Sequence, residues 1–87
     1  MLPVHRLLSR IRWDREFGTG EFIIGYYDRV AKEIIRVSMA EIHFTPGENR
    51  AFQFMDREGN IHTIPLHRIR EVYKNDELIW KRPPEKR

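Results

Sequence analysis

Residues 21 to 30 carry the pattern that most restricts how this chain can fold. The run Glu-Phe-Ile-Ile-Gly-Tyr-Tyr-Asp-Arg-Val is dense in the aromatic and β-branched residues that are enriched in strands. Alternation places Phe22, Ile24 and Tyr26 on one face, and both faces are apolar at the start, which predicts a central strand. Gly25 inside this strand indicates a bulge or a close approach of the backbone.

A short amphipathic helix is predicted over residues 3–12. Pro3 suits the first helical position, where its missing N–H costs nothing. The residues that recur with the spacing of one apolar helix face are Val4, Leu7, Leu8 and Ile11. The opposite face is basic, which is typical of a solvated surface, so the helix is expected to cover one side of a sheet.

The rest of the chain alternates short extended segments with turn signals. Further strands are predicted at 33–37, 51–55, 61–64, 70–74 and 77–82, with a helical turn and a short strand within 38–44 and a loop at 45–49. The predicted fold class is therefore α+β. One N-terminal helix packs on a bent antiparallel sheet, or on a small partly open barrel, of five to six short strands.

The length of the chain allows one domain, which we predict at residues 1–82, with 83–87 as a disordered, proline-led tail. Cysteine is absent, so neither a disulfide nor a thiolate zinc site is expected, which suits a reducing compartment. No long apolar run occurs, and Arg6 and Arg10 interrupt the N-terminal segment. We therefore expect no membrane association and a cytoplasmic location.

The kind of basic residue is more informative than the net charge. Sixteen basic residues against thirteen acidic ones give a net charge of only +3, but twelve of the sixteen are arginine. The planar guanidinium suits bidentate contacts with phosphate and stacks on flat rings, whereas lysine supplies a strongly hydrated point charge. This bias favours phosphate recognition.

The hexamer Ile64–Ile69, Ile-Pro-Leu-His-Arg-Ile, combines a rigid turn with two side chains that bind anions. Pro65 fixes its own φ and interrupts the incoming strand, so His67 and Arg68 follow directly after the break. Imidazole and guanidinium groups both donate hydrogen bonds to phosphate. The same pattern also fits an edge turn with solvated polar side chains.

Arginine and aromatic residues elsewhere extend this candidate site. Arg29 is expected at the end of the first strand and Arg82 at the end of the last. The aromatic residues able to stack on unpaired bases are Trp13, Tyr26, Tyr27 and Trp80. The two tryptophans are expected in the core, because a small domain needs large side chains inside, whereas Tyr27 and Arg29 are expected to be exposed.

Catalysis has weaker support in the sequence. His43-Phe44-Thr45 matches one H-x-T motif of two-histidine phosphoesterases, but neither His62 nor His67 supplies the second motif that such enzymes need. No pair of histidines has a diagnostic metal-binding spacing, and no glycine-rich phosphate loop occurs. We therefore predict no catalytic residue, metal ion or cofactor.

Four motifs follow one another along residues 4 to 82. They are Ile11-x-Trp13-Asp14, Phe22-Ile23-x-x-Tyr26-x-x-Arg29, Ile64-Pro65-x-His67-Arg68-Ile69 and Trp80-x-Arg82. This order resembles a family of small archaeal and bacterial proteins, the RNA cyclic-group end recognition domain. The resemblance implies binding of RNA ends that carry a 2′,3′-cyclic phosphate. The residues that it implies by matching position are Tyr26, Arg29, His67 and Arg68, with Asp14 as a weaker match.

We therefore predict an RNA-binding module without catalytic activity, acting in RNA repair or processing beside an RNA ligase, phosphatase or nucleotidyltransferase. The predicted site consists of Tyr26, Tyr27, Arg29, His67, Arg68 and Arg82. One alternative is an RNA-end phosphodiesterase that uses His43 or His67 in acid–base catalysis. Another is a protein-interaction domain that docks an acidic partner on the arginine-rich helix face. Convergence of Arg29, His67 and Arg68 on one surface would favour the first hypothesis.

Overall fold

A computed structural model describes residues 3–44 and 50–82. Within these ranges, one α-helix accompanies seven strands in two antiparallel sheets, which stay open and do not close into a barrel. The predicted α+β class and N-terminal helix are confirmed. The strand count exceeds the predicted five to six by one when the two-residue strand at Ile42–His43 is included, and the strands divide between two sheets. The predicted loop at 45–49 and the predicted tail at 83–87 lie outside the described residues.

The element boundaries agree with the predicted ones to within two residues. The helix α1 is Val4–Trp13, and the strands are β1 (Phe22–Asp28), β2 (Glu33–Ser38), β3 (Ile42–His43), β4 (Ala51–Met55), β5 (Ile61–Pro65), β6 (Ile69–Lys74) and β7 (Glu77–Lys81). Two 3-10 helices, Met39–Glu41 and Leu66–Arg68, complete the order. Within the two described ranges, no helix has the length and apolar character needed to cross a bilayer.

The strand order places the hexamer at a crossing between the sheets. The four-stranded sheet has the order β2-β1-β6-β7, and the three-stranded sheet has the order β3-β4-β5. β1 is an inner strand, as predicted. The chain leaves the four-stranded sheet through Met39–Glu41 and returns to it through Leu66–Arg68. The candidate phosphate-binding residues His67 and Arg68 therefore lie on the return connection.

The core lies between α1 and the inner faces of both sheets. Its buried members are Val4, Leu7, Leu8, Ile24, Tyr26, Ile42, Phe52, Ile64, Leu66, Ile69, Val72 and Trp80. Trp80 is thus a core residue, as predicted. The same prediction is wrong for Trp13, whose exposed fraction is 75%. Trp13 follows Val4 by nine residues, or two and a half helical turns, so it lies on the face opposite the buried one.

Gly25 lies beneath an ion pair that crosses β1. It pairs with Arg36 of β2 on one side and with Glu71 of β6 on the other. Arg36 Nη2 lies 2.8 Å from Glu71 Oε1. The contact is ionic, since the buried Oε1 atom has no donor in hydrogen-bonding geometry within the described residues. A Cβ at Gly25 would lie 2.7 Å from Glu71 Cγ, and the register shifts here, so the predicted close approach and bulge are confirmed.

Gly25→Ala is expected to lower the free energy of unfolding by about 1–2 kcal/mol, because the added methyl group displaces the Glu71 side chain from Arg36. The loss should shrink in a Glu71→Ala background, where that space is open. Urea unfolding of both single variants and the double variant measures the coupling. An equal loss in both backgrounds would instead assign the cost to the backbone of β1.

Candidate nucleic-acid interface

The hexamer forms a rigid frame at the crossing between the sheets. Pro65 ends β5, as the sequence predicts, and a 3-10 helix begins directly after it. Ile64, Leu66 and Ile69 are buried and anchor the turn in the core. The polar side chains are more accessible, since His67 is exposed and Arg68 is half-buried. Because a 3-10 helix advances by about 120° per residue, His67 and Arg68 leave the turn in different directions.

His67 opens onto a cavity of about 440 Å³, which we call the basic pocket. Seven of the described residues line it, and four of these carry imidazole or guanidinium groups, namely His5, Arg50, His67 and Arg82. The other three are apolar, so none of the described residues lines the cavity with a carboxylate. Of the six site residues predicted from the sequence, His67 and Arg82 are the two that meet here. The other two basic residues of the pocket, His5 and Arg50, were not in the predicted site and come from distant parts of the chain.

The guanidinium of Arg82 is held in place at the rim of this pocket. Its Nη1 donates a hydrogen bond to the His67 carbonyl oxygen at 2.7 Å, and its backbone N–H donates to the Arg70 carbonyl at 2.8 Å. Its Cζ lies 5.2 Å from the centre of the Trp80 ring. A guanidinium has five N–H donors, so these contacts leave donors for an anion while restricting the side chain. Restriction before binding lowers the entropy lost on binding.

A second cavity of about 270 Å³ continues the basic pocket along α1, and we call it the helix pocket. The two cavities share His5 and Leu66, and no acidic residue in the ranges 3–44 and 50–82 lines either of them. The polar and aromatic residues of the helix pocket are His5, Arg6, Ser9, Arg12 and Phe44. His5, Ser9 and Arg12 have the spacing i, i+4, i+7, which places them on one helix face. That spacing is the signal by which the sequence could have revealed them.

Arg68 belongs to a different environment at the end of β1. The backbone N–H groups of Ala31 and Val30 lower the pKa of Asp28, and the positive charges of His62 and Arg68 lower it further. Arg68 therefore already has a carboxylate as a neighbour. A phosphate at this position would compete with Asp28 for the guanidinium, whereas the part of the chain that the structure describes places no carboxylate in the lining of the basic pocket.

The predicted stacking role of Tyr26 conflicts with its burial. Its exposed fraction is 2%, and its ring lies 6.1 Å from Phe52 and 6.0 Å from Phe54, centre to centre. Burial raises the pKa of the Tyr26 hydroxyl, and the charge of Asp28 adds to the rise. Tyr26 follows Phe22 and Ile24 onto the inner face of β1, so its ring offers no free surface to a base. We therefore correct this residue to a core residue.

Tyr27 and Arg29 lie away from the two cavities. Tyr27 is half-buried in β1, and Arg29 is exposed in the turn after Asp28. Neither residue lines the basic pocket or the helix pocket, and Arg68 does not line them either. The predicted grouping of Arg29, His67 and Arg68 is therefore not found in these cavities.

His62 closes the β4–β5 hairpin. Its Nε2 lies 2.7 Å from Asp56 Oδ2, and its ring stacks on Phe54 at 4.9 Å between centres. Asp56 Oδ1 accepts hydrogen bonds from the backbone N–H groups of Glu58 and Asn60, both at 2.9 Å. The hydrogen bond with His62, followed by those from the backbone, lowers the pKa of Asp56 to about 2. Within the described ranges, no three histidine or carboxylate side chains are grouped as a metal ion would require.

Asp56→Asn is expected to make the free energy of unfolding fall less steeply as the pH is lowered below about 4. The pKa of Asp56 is about 2 in the folded protein and 3.8 ordinarily, so the unfolded chain binds more protons between these values. Its contribution is therefore fully present above pH 3.8 and is lost as the pH falls through about 2. Urea unfolding at a series of pH values measures the slope.

His62→Phe is the matched variant for this test, since it keeps a ring on Phe54 and removes the main cause of the lowered pKa of Asp56. It should also make the free energy of unfolding fall less steeply at low pH, and the double variant should add little to either single change. Asp14 and Asp28 also have lowered pKa values, so some slope remains. An unchanged slope in Asp56→Asn contradicts the assignment.

The fold and the two cavities define a small α+β protein with histidine and arginine side chains grouped beside its helix. The chain matches a family model, the MJ1316 RNA cyclic group end recognition domain, over residues 1–82. It therefore belongs to this family, as the resemblance of its motifs indicated, and the name of the family indicates recognition of RNA ends. No curated protein and no solved structure matches the chain significantly.

Proposed function

We propose that this protein binds RNA ends in the basic pocket and that the group it recognises there is a 2′,3′-cyclic phosphate. The observation that carries the proposal is the meeting of two histidines and two arginines, His5, Arg50, His67 and Arg82, around one cavity. A cyclic phosphate is a monoanion with two free oxygens, which suits a guanidinium fork and imidazole N–H donors. The family name supports RNA ends as the ligand.

Charge alone does not produce a preference for the cyclic group. A linear terminal phosphate carries more negative charge at neutral pH, so a purely electrostatic pocket would bind it more tightly. Selection of the cyclic form requires that the pocket fit the five-membered ring and reject the additional charge. Arg82 supports such selection, because its guanidinium is held by His67 and cannot follow every position of a phosphate.

The test is a binding titration with three short RNAs of one sequence that end in hydroxyl, linear phosphate or cyclic phosphate. We expect the cyclic end to bind most tightly and all affinities to fall as salt rises, because phosphate contacts release counterions. Equal affinity for the three ends would exclude end recognition. Tighter binding of the linear phosphate would leave an end-binding pocket but remove the preference for the cyclic group.

One observation favours the phosphodiesterase as a second candidate. His5 and His67 line the same pocket, and acid–base catalysis on a cyclic phosphate needs two proton-transferring groups. His43 is exposed on β3 and lines neither cavity, so it is the weaker candidate. Incubation of end-labelled cyclic-phosphate RNA with the pure protein tests this activity. Unchanged ends exclude it, whereas turnover that requires both His5 and His67 would establish it.

The proposal places the protein in RNA repair or processing. A module that holds a cyclic-phosphate end without changing it needs an enzyme that acts on that end next. An RNA ligase, a phosphatase or a nucleotidyltransferase in the cytoplasm has the appropriate chemistry.

A further inference from the structure

Trp13 presents a large aromatic surface that the fold does not use. It is the last residue of α1, and three quarters of its side-chain surface is exposed. Aromatic side chains of this size usually contribute to a core or to an interface. Here the core is complete without Trp13, since α1 buries Val4, Leu7 and Leu8 on its other face. The exposed indole is therefore available for stacking.

Arg12 connects this ring to the helix pocket. Its Cζ lies 4.5 Å from the centre of the Phe44 ring and 5.6 Å from the centre of the Trp13 ring. Arg12 and Phe44 both line the helix pocket. The guanidinium therefore lies within cation–π distance of both an aromatic wall of the pocket and the exposed indole.

The basic pocket, the helix pocket and Trp13 follow one another along α1, with Arg12 connecting the helix pocket to Trp13, and we call this series the track. The two cavities meet at His5, and Trp13 follows His5 by eight residues, or about 12 Å along the helix axis. The track carries arginine side chains and an aromatic ring at its far end. Single-stranded nucleic acid is bound by this combination of positive charge along the backbone and rings that stack on the bases.

The acidic residue next to Trp13 in the chain already has partners within the protein. Asp14 follows Trp13, and its Oδ2 lies 3.6 Å from Arg10 Nε. Its Oδ1 accepts hydrogen bonds from the backbone N–H groups of Glu16 and Phe17, at 3.1 and 3.2 Å. These contacts lower the pKa of Asp14 and engage its charge within the turn that ends the helix.

We propose that Trp13, supported by Arg12, is a stacking subsite for an unpaired base upstream of the RNA end. The protein then reads a single-stranded 3′ segment together with the end group. This inference rests on the proposed function, because the end in the basic pocket sets the position of the strand. Charge complementarity along the track favours RNA over a protein partner as the occupant.

The experiment compares two ligands with cyclic-phosphate ends, a single nucleotide and a six-nucleotide RNA. Trp13→Ala should weaken binding of the longer RNA about tenfold and leave the affinity for the single nucleotide unchanged. Trp13→Phe keeps a ring and should retain most of the affinity. Val30→Ala is the matched control, because Val30 is 94% exposed and lies in the turn after β1.

Two further measurements sharpen the assignment. An abasic substitution at one upstream position of the RNA should weaken binding as Trp13→Ala does, and the two changes should not add. Binding of the longer RNA should also quench tryptophan fluorescence, which reports on exposed Trp13 more than on buried Trp80. Sedimentation of the wild type and of Trp13→Ala shows whether Trp13 supports self-association.

Wild-type affinity for the longer RNA in Trp13→Ala would overturn the inference, and so would an equal loss for both ligands. A change in self-association with unchanged RNA affinity would make Trp13 a protein contact and would also overturn it. Failure of the proposed function is distinguishable from these results. It would appear as equal wild-type affinity for the three kinds of end, whereas the Trp13 variants are compared by ligand length.

Discussion

Arg82→Ala is expected to weaken binding of an RNA that ends in a cyclic phosphate by about 10- to 100-fold. A hydrogen bond to a charged group contributes about 1.5–3 kcal/mol, and each 1.4 kcal/mol corresponds to tenfold in affinity. Arg82 is already held by the His67 carbonyl, so little entropy offsets this contribution. Anisotropy titrations at several salt concentrations measure the affinity. The slope of its logarithm against that of the salt concentration should fall by about 0.7.

His67→Ala separates the imidazole from the frame that holds Arg82. The carbonyl that accepts hydrogen bonds from Arg70 and Arg82 belongs to the backbone, and it remains when the side chain is removed. His67→Ala should therefore weaken binding without releasing Arg82. Its loss should be smaller than that of Arg82→Ala, because an imidazole has at most two N–H donors and a guanidinium has five.

Arg29→Ala and Arg68→Ala are the controls for charge. Each removes one positive charge, as Arg82→Ala does, but from outside the two cavities. We expect changes of less than about threefold in affinity, in keeping with partly screened charges at a distance. A loss as large as that of Arg82→Ala would show that the grouping predicted from the sequence holds the phosphate instead of the basic pocket.

Tyr26→Ala is expected to lower the free energy of unfolding by about 3–4 kcal/mol, the usual cost of removing a buried aromatic ring. The variant loses ring contacts with Phe52 and Phe54 in the centre of the core. A chain of 87 residues has a total stability of roughly 4–13 kcal/mol, so this variant can be largely unfolded. Thermal and urea unfolding measure the loss.

Tyr26→Phe keeps the ring and shows whether the residue has a second role in binding. It should fold and should bind cyclic-phosphate RNA within about twofold of the wild type. Tyr27→Ala is the positional control, because half-buried Tyr27 lies on the other face of β1 and should cost less than about 1 kcal/mol. If Tyr26→Phe folds normally and loses RNA affinity tenfold, our correction is wrong and the hydroxyl contacts RNA as the resemblance implied.

The individual helix and strands could be predicted from the sequence, because each is determined by residues that are close together in the chain. Apolar spacing predicted α1, alternation predicted β1, and Pro65 predicted the end of β5, all within two residues of the observed boundaries. The exposure of Trp13 was also present in the sequence. Two and a half helical turns separate it from Val4, but the expectation that a small domain buries its tryptophans outweighed that spacing.

The division into two sheets had no local signal. Hairpin patterns predict which neighbouring strands pair, but they do not say which hairpins share a sheet. The sheets separate because the 3-10 helices Met39–Glu41 and Leu66–Arg68 redirect the chain between β2 and β3 and between β5 and β6. The sequence indicated that the strands are interrupted within 38–44 and at Pro65, but it did not indicate in which direction the chain continues after each interruption.

By itself, the sequence determined the residue types of the site and the rigid turn that presents His67. Only the tertiary structure decided which of them meet. The basic pocket draws its histidines and arginines from four separate segments: α1, the residue before β4, the 3-10 helix after β5 and the residue after β7. These residues are His5, Arg50, His67 and Arg82, and only the packing of the four segments brings them to one cavity. Arg68 is next to His67 in the chain but does not line this cavity, because a 3-10 helix sends successive side chains about 120° apart.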